Sequence, residues 1–323
     1  MQPLRHATIL AVTAVVTLAG PVASQAQETK YPARKVDFVV GFAAGGFADT
    51  VARFVAQKLN DKWGQSVIIE NRGGAGGNLA ARSVRSAEPD GHTVLVTTTA
   101  MAINPTMYRR LEFSLDDLVA VAIPAASPET LAAHPSKASA GLKEFLAANE
   151  GKEVTFGTAG AGSGSHLAAE YFFKERTKTK ALHVPFRGGS PAVQAVLGNQ
   201  IDLIVSSFGV NAQVAEGKLK GLAVASPSRN PALPDVPTFK ESGFDFEAES
   251  WVGFFVPART SQAVIERLNT WINEVMSDPA SREHLTKLGL RLSPRNAAES
   301  QAYLKAEVAK WATMVKSVGV YVD

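Results

Sequence analysis

The chain has 323 residues, 46% of them hydrophobic and 20% charged, with a net charge of +3. This fits a globular protein of two domains of roughly 150 residues each. So small a positive excess, with no basic–aromatic stripe, points away from nucleic acid. The absence of cysteine rules out thiol catalysis, disulfides and Cys-based metal sites.

The N-terminus reads as a processing signal. Arg5 and His6 precede an apolar run over residues 7–19 that is too short to span a bilayer. Ser24-Gln25-Ala26 supplies a small-x-small cleavage pattern. Residues 1–26 are therefore expected to be a signal peptide, cleaved near Ala26, and the remainder an exported, periplasmic protein. No Cys follows the apolar run, which argues against a lipid anchor.

Beyond that signal, short apolar runs alternate with helical patterns. Strands are expected at 36–41, 67–70, 93–98, 119–123, 154–157, 182–185, 201–206, 222–225 and 254–256. Many are apolar at consecutive positions, as in strands buried on both faces. Helices are expected between them, with residues 261–276 and 297–318 the most regular. The alternation predicts parallel α/β sheets, with any ligand beyond the carboxyl ends of the strands. The stretch 124–128, rich in Pro, Ala and Ser, marks a boundary. The expected division is 27–125 with 250–323 as domain 1, and 126–249 as an inserted domain 2.

Two glycine-rich turns lie between a strand and a helix. The first covers residues 41–49 and the second 157–166. Glycine lets backbone approach a ligand closely, and the N–H groups that open a helix attract an anion. Two such turns suggest two lobes closing on one negatively charged small molecule. Taken singly, each is equally well an ordinary tight turn. A third glycine cluster, at 70–78, either borders the same cleft or is simply a turn. Asp49 is expected to cap the first helix and so to organise its loop.

Other chemistries lack support. Neither turn ends in Gly-Lys-Ser/Thr, and neither holds G-x-G-x-x-G in register. Ser163 and His166 lack the G-x-S-x-G elbow of a hydrolase. The six histidines form no close metal-binding pair, and the carboxylates are scattered. No catalytic residue, metal or cofactor is expected.

The motifs in order resemble one family. They are Gly45-Gly46-x-x-Asp49-x-x-Ala52-Arg53, then Glu70-Asn71-Arg72-x-Gly74-Ala75-Gly76-Gly77-Asn78, and Pro89-Asp90-Gly91-His92-Thr93. Gly157-x-x-Gly160-x-Gly162-Ser163-x-x-His166 and Pro185-Phe186-Arg187-Gly188-Gly189-Ser190 follow. Leu233-Pro234-Asp235-Val236-Pro237 and Glu249-Ser250-Trp251-x-Gly253 complete the set. The chain is similar over nearly all its length to the Bug (TctC-like) solute-binding components of tripartite tricarboxylate transporters. The resemblance implies a two-lobed, type II Venus-flytrap α/β fold with a ligand cleft between the lobes. It also implies a monomer that captures an organic carboxylate without consuming it and delivers it to integral-membrane subunits.

Carried over by position, the first loop would offer Phe42, Gly46, Phe47, Ala48 and Asp49 to the ligand. The second would offer Thr158, Ala159, Gly162, Ser163 and His166. Thr98, Thr99 and Ala102, with Ser206 and Ser207, end strands expected to face the same cleft. The chain departs from the family at Ala44 and Ala48, where proline and a hydroxyl residue are usual, and Phe47 stands beside them. That shifts the expected ligand toward a carboxylate with an apolar or aromatic body. The competing readings are a periplasmic carboxylate sensor with a receptor partner, and an exported α/β hydrolase.

Overall fold

Val36–Val40 (β1) is almost wholly apolar and buried because it lies mid-sheet, with parallel neighbours on both sides. Those neighbours are β2 (Val67–Asn71) and β3 (Thr93–Thr98). The computed structural model describes residues 31–138 and 140–323, so the expected signal peptide lies outside the described residues. Their remaining strands are β4 (Leu118–Pro128), β5 (Thr130–Ala133), β6 (Val154–Thr158), β7 (Ala181–Pro185) and β8 (Leu203–Ser206), followed by β9 (Lys220–Val224), β10 (Glu249–Pro257) and β11 (Arg291–Leu292).

These strands form two sheets, ordered β11-β4-β10-β3-β1-β2 and β7-β6-β8-β5-β9. The sheets are mixed, not parallel throughout as the alternation implied. β10 runs antiparallel to both β3 and β4, and β5 runs antiparallel to β8 and β9. The cause is the chain path. β4 leaves the first sheet and β10 returns beside it, so the pair acts as a hairpin whose loop is the whole second lobe.

The stretch 124–128 is strand and not a linker. Pro124 is tolerated there because the β4–β10 register shifts between Val252 and Phe254, next to it. The chain leaves the first sheet for the second at Glu129, between β4 and β5, and regains the first sheet at Glu249, where β10 begins.

Helices cover both faces of each sheet. On the first sheet, α1 (Phe47–Trp63) and α8 (Gln262–Ser277) bury Val51, Val55, Leu59, Leu268 and Ile272 against one face. On the other lie α2 (Asn78–Arg85), α3 (Ala100–Met107) and α10 (Ala297–Val318), with Val84, Ile103 and Trp311. α9 (Pro279–Lys287) extends the first group. In the second lobe, α4 (Leu142–Ala148) and α5 (Gly164–Tyr171) cover one face of the sheet, and α6 (Gly189–Leu197) and α7 (Val210–Ala215) the other. The helix ends follow local rules. α10 opens on a capping box between Asn296 and Glu299 and closes on left-handed Gly319.

Candidate functional site

The loop after β1 and the loop after β6 face each other across the gap between the lobes. Ala43 N–H donates to Arg187 O across it at 3.1 Å, and Tyr108 Oη donates to Ala161 O at 3.0 Å. The lobes are thus in contact at the mouth of the cleft.

Asp49 shapes the first loop from inside α1. The N-cap is Gly46, which has no side chain to offer, and Asp49 stands in the first helical turn. This differs from the cap expected for it. From there its carboxylate reaches back to accept Gly45 N–H at 2.8 Å and Arg53 Nε at 2.8 Å. It also accepts Asn71 Nδ2 at 2.8 Å. Burial alone would raise its pKa, but the hydrogen bonds from Arg53, Gly45 and Asn71 outweigh it and hold the carboxyl below its ordinary range. Asp49 is a loop organiser whose charge is already matched.

Ser163 caps α5. Its Oγ accepts His166 N–H at 3.2 Å and donates to Gly160 O at 2.7 Å. The His166 ring turns away from that hydroxyl, with Nδ1 accepting Gly162 N–H at 3.3 Å. It stacks on His183 with centroids 3.9 Å apart. Burial, and then the neighbouring His166, push the pKa of His183 down to about 3, so that ring is neutral. A serine nucleophile would need an imidazole on its hydroxyl, and Ser163 has none. Among the described residues no group of three or more His, Asp or Glu side chains is placed to hold a metal.

An inner cavity of about 30 Å³ lies between the lobes. Of the residues singled out in the sequence, Phe42, Gly46, Phe47, Ala48, Thr98, Ala159, Ser163, Ser206 and Ser207 line it. Asp49 and Thr158 sit behind the wall, where Thr158 Oγ1 meets His183 Nε2 at 2.7 Å. Thr99 is spent on the fold, since its Oγ1 accepts Trp251 N–H at 2.8 Å, and Ala102 is buried within α3. Gly162 faces the opposite lobe rather than the cavity: a Cβ built on it would stand 2.7 Å from Tyr108 Cε2 and overlap Asn104 Oδ1. His166 underlies the loop.

Gly164, Ser165, Gly189, Phe208 and Ser250 also line the cavity, and the sequence reading passed over them as ligand contacts. Gly164 and Ser165 lie within the second glycine turn, and Gly189 and Ser250 within quoted motifs, so a signal existed for these four. Phe208 carried none beyond following Ser206 and Ser207. The third glycine cluster borders the same cleft. Gly73–Gly77 line an outer chamber of about 420 Å³ that shares Phe42 and Ala159 with the inner one.

The inner wall has a distinct chemistry. The first residues of three helices line it, Phe47 of α1, Gly164 of α5 and Gly189 of α6. The opening N–H groups of a helix have no partners within it and carry the positive end of its dipole. Six hydroxyls join them, from Thr98, Ser163, Ser165, Ser206, Ser207 and Ser250, and no lining residue is charged. Phe42, Phe47 and Phe208 supply aromatic surface. Such a wall can hold an anion by neutral donors while packing against its carbon skeleton.

The model of the tripartite tricarboxylate transporter family receptor matches residues 51–320. The chain belongs to that family. A curated relative, described as a UPF0065 protein in the tcbD-tcbE intergenic region of Pseudomonas sp. (strain P51), is 32% identical over 88% of this chain and 86% of its own. The solved periplasmic binding protein BugD superposes with a TM-score of 0.85 at 32% identity, covering 90% of this chain and 99% of BugD. MatC from Rhodopseudomonas palustris with bound malate superposes at 0.83 with 31% identity, covering 88% of this chain and 100% of MatC. The receptor therefore has the two-lobed fold of periplasmic binding proteins, and its family consists of transport receptors, not enzymes.

Proposed function

We propose that this receptor works in the periplasm once residues 1–26 are removed. It holds the carboxylate of a small organic acid in the inner cavity and passes it to the membrane subunits of a tripartite tricarboxylate transporter. The observation that carries this reading is the convergence of three helix N-termini on one hydroxyl-lined cavity with no charged side chain in its wall. A carboxylate is the small anion that such donors suit, since hydrogen bonds to an ionised acceptor are about twice as strong as neutral ones. The malate bound by MatC, a structural relative, is a carboxylate of this kind. The site residues proposed to meet the ligand are those that line the cavity.

Calorimetric titration with a panel of mono-, di- and tricarboxylates tests the reading. A binder at 100 times its Kd raises the unfolding free energy by roughly 2.7 kcal/mol and is recovered chemically unchanged. Absence of any binder in the panel, or recovery of an altered acid, overturns it.

A further inference from the structure

Phe47 and Phe208 come from different lobes, the first from the opening of α1 and the second from the segment after β8. Their rings meet inside the cleft with centroids 5.7 Å apart and planes inclined by 20°. Both rings line the inner cavity. Phe47 is only 8% exposed and Phe208 is half-buried. No other pair of aromatic side chains stacks between the lobes among the described residues. The neighbours of Phe47, Gly46 and Ala48, are too small to compete for that space. The backbone of Phe208 is tied down from below, where Ser206 Oγ donates to Phe208 O at 2.7 Å.

We infer that these two rings are a clamp that selects the carbon body of the ligand, and that the receptor prefers a carboxylate with a flat aromatic body over a small hydroxylated acid. The inference rests on the carboxylate reading above and adds the class of acid. Near-parallel rings present two flat apolar faces, and a planar guest admitted between them as they separate replaces their mutual stacking with a stack on each side. A hydroxylated body at the same place would lose water from its hydroxyls with only phenyl carbon to meet them. The hydroxyls of Thr98 and Ser207, which donate to no other group among the described residues, are left for the carboxylate end. The cavity of about 30 Å³ is smaller than such a guest, so the guest enters while the lobes are apart and the rings close over it.

The test compares benzoate, cyclohexanecarboxylate and malate by calorimetry on the wild type, Phe208→Ala and Phe208→Leu, with native circular dichroism as the check on folding. Benzoate and cyclohexanecarboxylate share charge and carbon count and differ in planarity. In the wild type benzoate binds tightest. In Phe208→Ala its affinity falls about tenfold, the scale of one stacked aromatic pair, and that of malate changes less than about threefold, the scale of a weak polar contact. Phe208→Leu keeps apolar volume without a flat face and narrows the gap between benzoate and cyclohexanecarboxylate. Malate binding tighter than benzoate in the wild type, or equal losses for both in Phe208→Ala, overturns the clamp but leaves the carboxylate reading standing. Binding of none of the three acids to wild type counts against both.

Discussion

At the scale of single residues, Asp49 shows how one buried charge fixes a loop. It gathers a backbone N–H, a guanidinium and an amide on one carboxylate. Asp49→Ala leaves those donors without their acceptor and should lower stability by about 2–4 kcal/mol, since hydrogen bonds to charged groups contribute about 1.5–3 kcal/mol each and neighbours do not add fully. The folded pKa is depressed. The stabilisation is therefore present above the unfolded pKa and is lost as pH falls through the lower folded value. Urea unfolding of wild type and variant should show a gap at pH 7 that closes under acid conditions. A gap independent of pH would show that the carboxylate charge is not what holds the loop. The sequence pointed to Asp49 as an organiser. It could not show that Gly46 takes the cap position while Asp49 works from one turn inside, because both placements satisfy the same Gly-Gly-x-x-Asp spacing.

At the scale of elements, the central strands and long helices were legible because burial on both faces leaves an unbroken apolar run. β3 and α10 coincide with their expected bounds. What escaped was short or masked by its composition. β5 is a four-residue strand and β11 a two-residue one, each too brief for any periodicity to register. β4 runs on through two prolines because a register shift absorbs the first and its end meets the second. In the site, helix starts and glycine turns could be read, while Phe208 could not, since its importance comes from a ring on the other lobe.

The junction of β4 and β5 also carries a testable charge. Glu129 is buried there, and its Oε1 accepts from Ser250 Oγ at 2.6 Å. Burial raises its pKa from 4.5 to about 8, only partly opposed by that hydrogen bond. The folded protein keeps this proton between those two values while the unfolded chain releases it. Stability must then fall as pH rises across that window, by at most about 1.4 kcal/mol per pH unit from this one group. Glu129→Gln keeps an acceptor for Ser250 and removes the titration. Unfolding at pH 5, 6.5 and 8 should show a flatter pH dependence in the variant and a higher stability than wild type at pH 8. Parallel slopes would mean that Glu129 is already ionised in the folded state.

For the molecule as a whole, the contacts across the cleft mouth define a closed arrangement of lobes. Gly162 is central to it, at a φ of +80° and hard against Asn104 and Tyr108 of the other lobe. Gly162→Val cannot keep both that backbone conformation and the lobe contact. It should weaken ligand binding far more than Ser163→Ala, which removes a cap and a hydroxyl worth about 1 kcal/mol. The two variants separate by mechanism as well as size. Small-angle scattering with ligand present should show the valine variant remaining extended and the alanine variant contracting like wild type. Equal contraction of both would place the effect of Gly162 in the binding wall instead of in closure.

The uncharged wall of the inner cavity has a consequence for transport under changing surroundings. An acid held by ion pairs would loosen as salt screens them. An acid held by amide dipoles and hydroxyls between the lobes presents no ion pair for dissolved ions to screen. Capture by this receptor should therefore be nearly indifferent to ionic strength, in dilute and in salty media alike. Discharge must then come from parting the lobes and not from a shift in the solution outside.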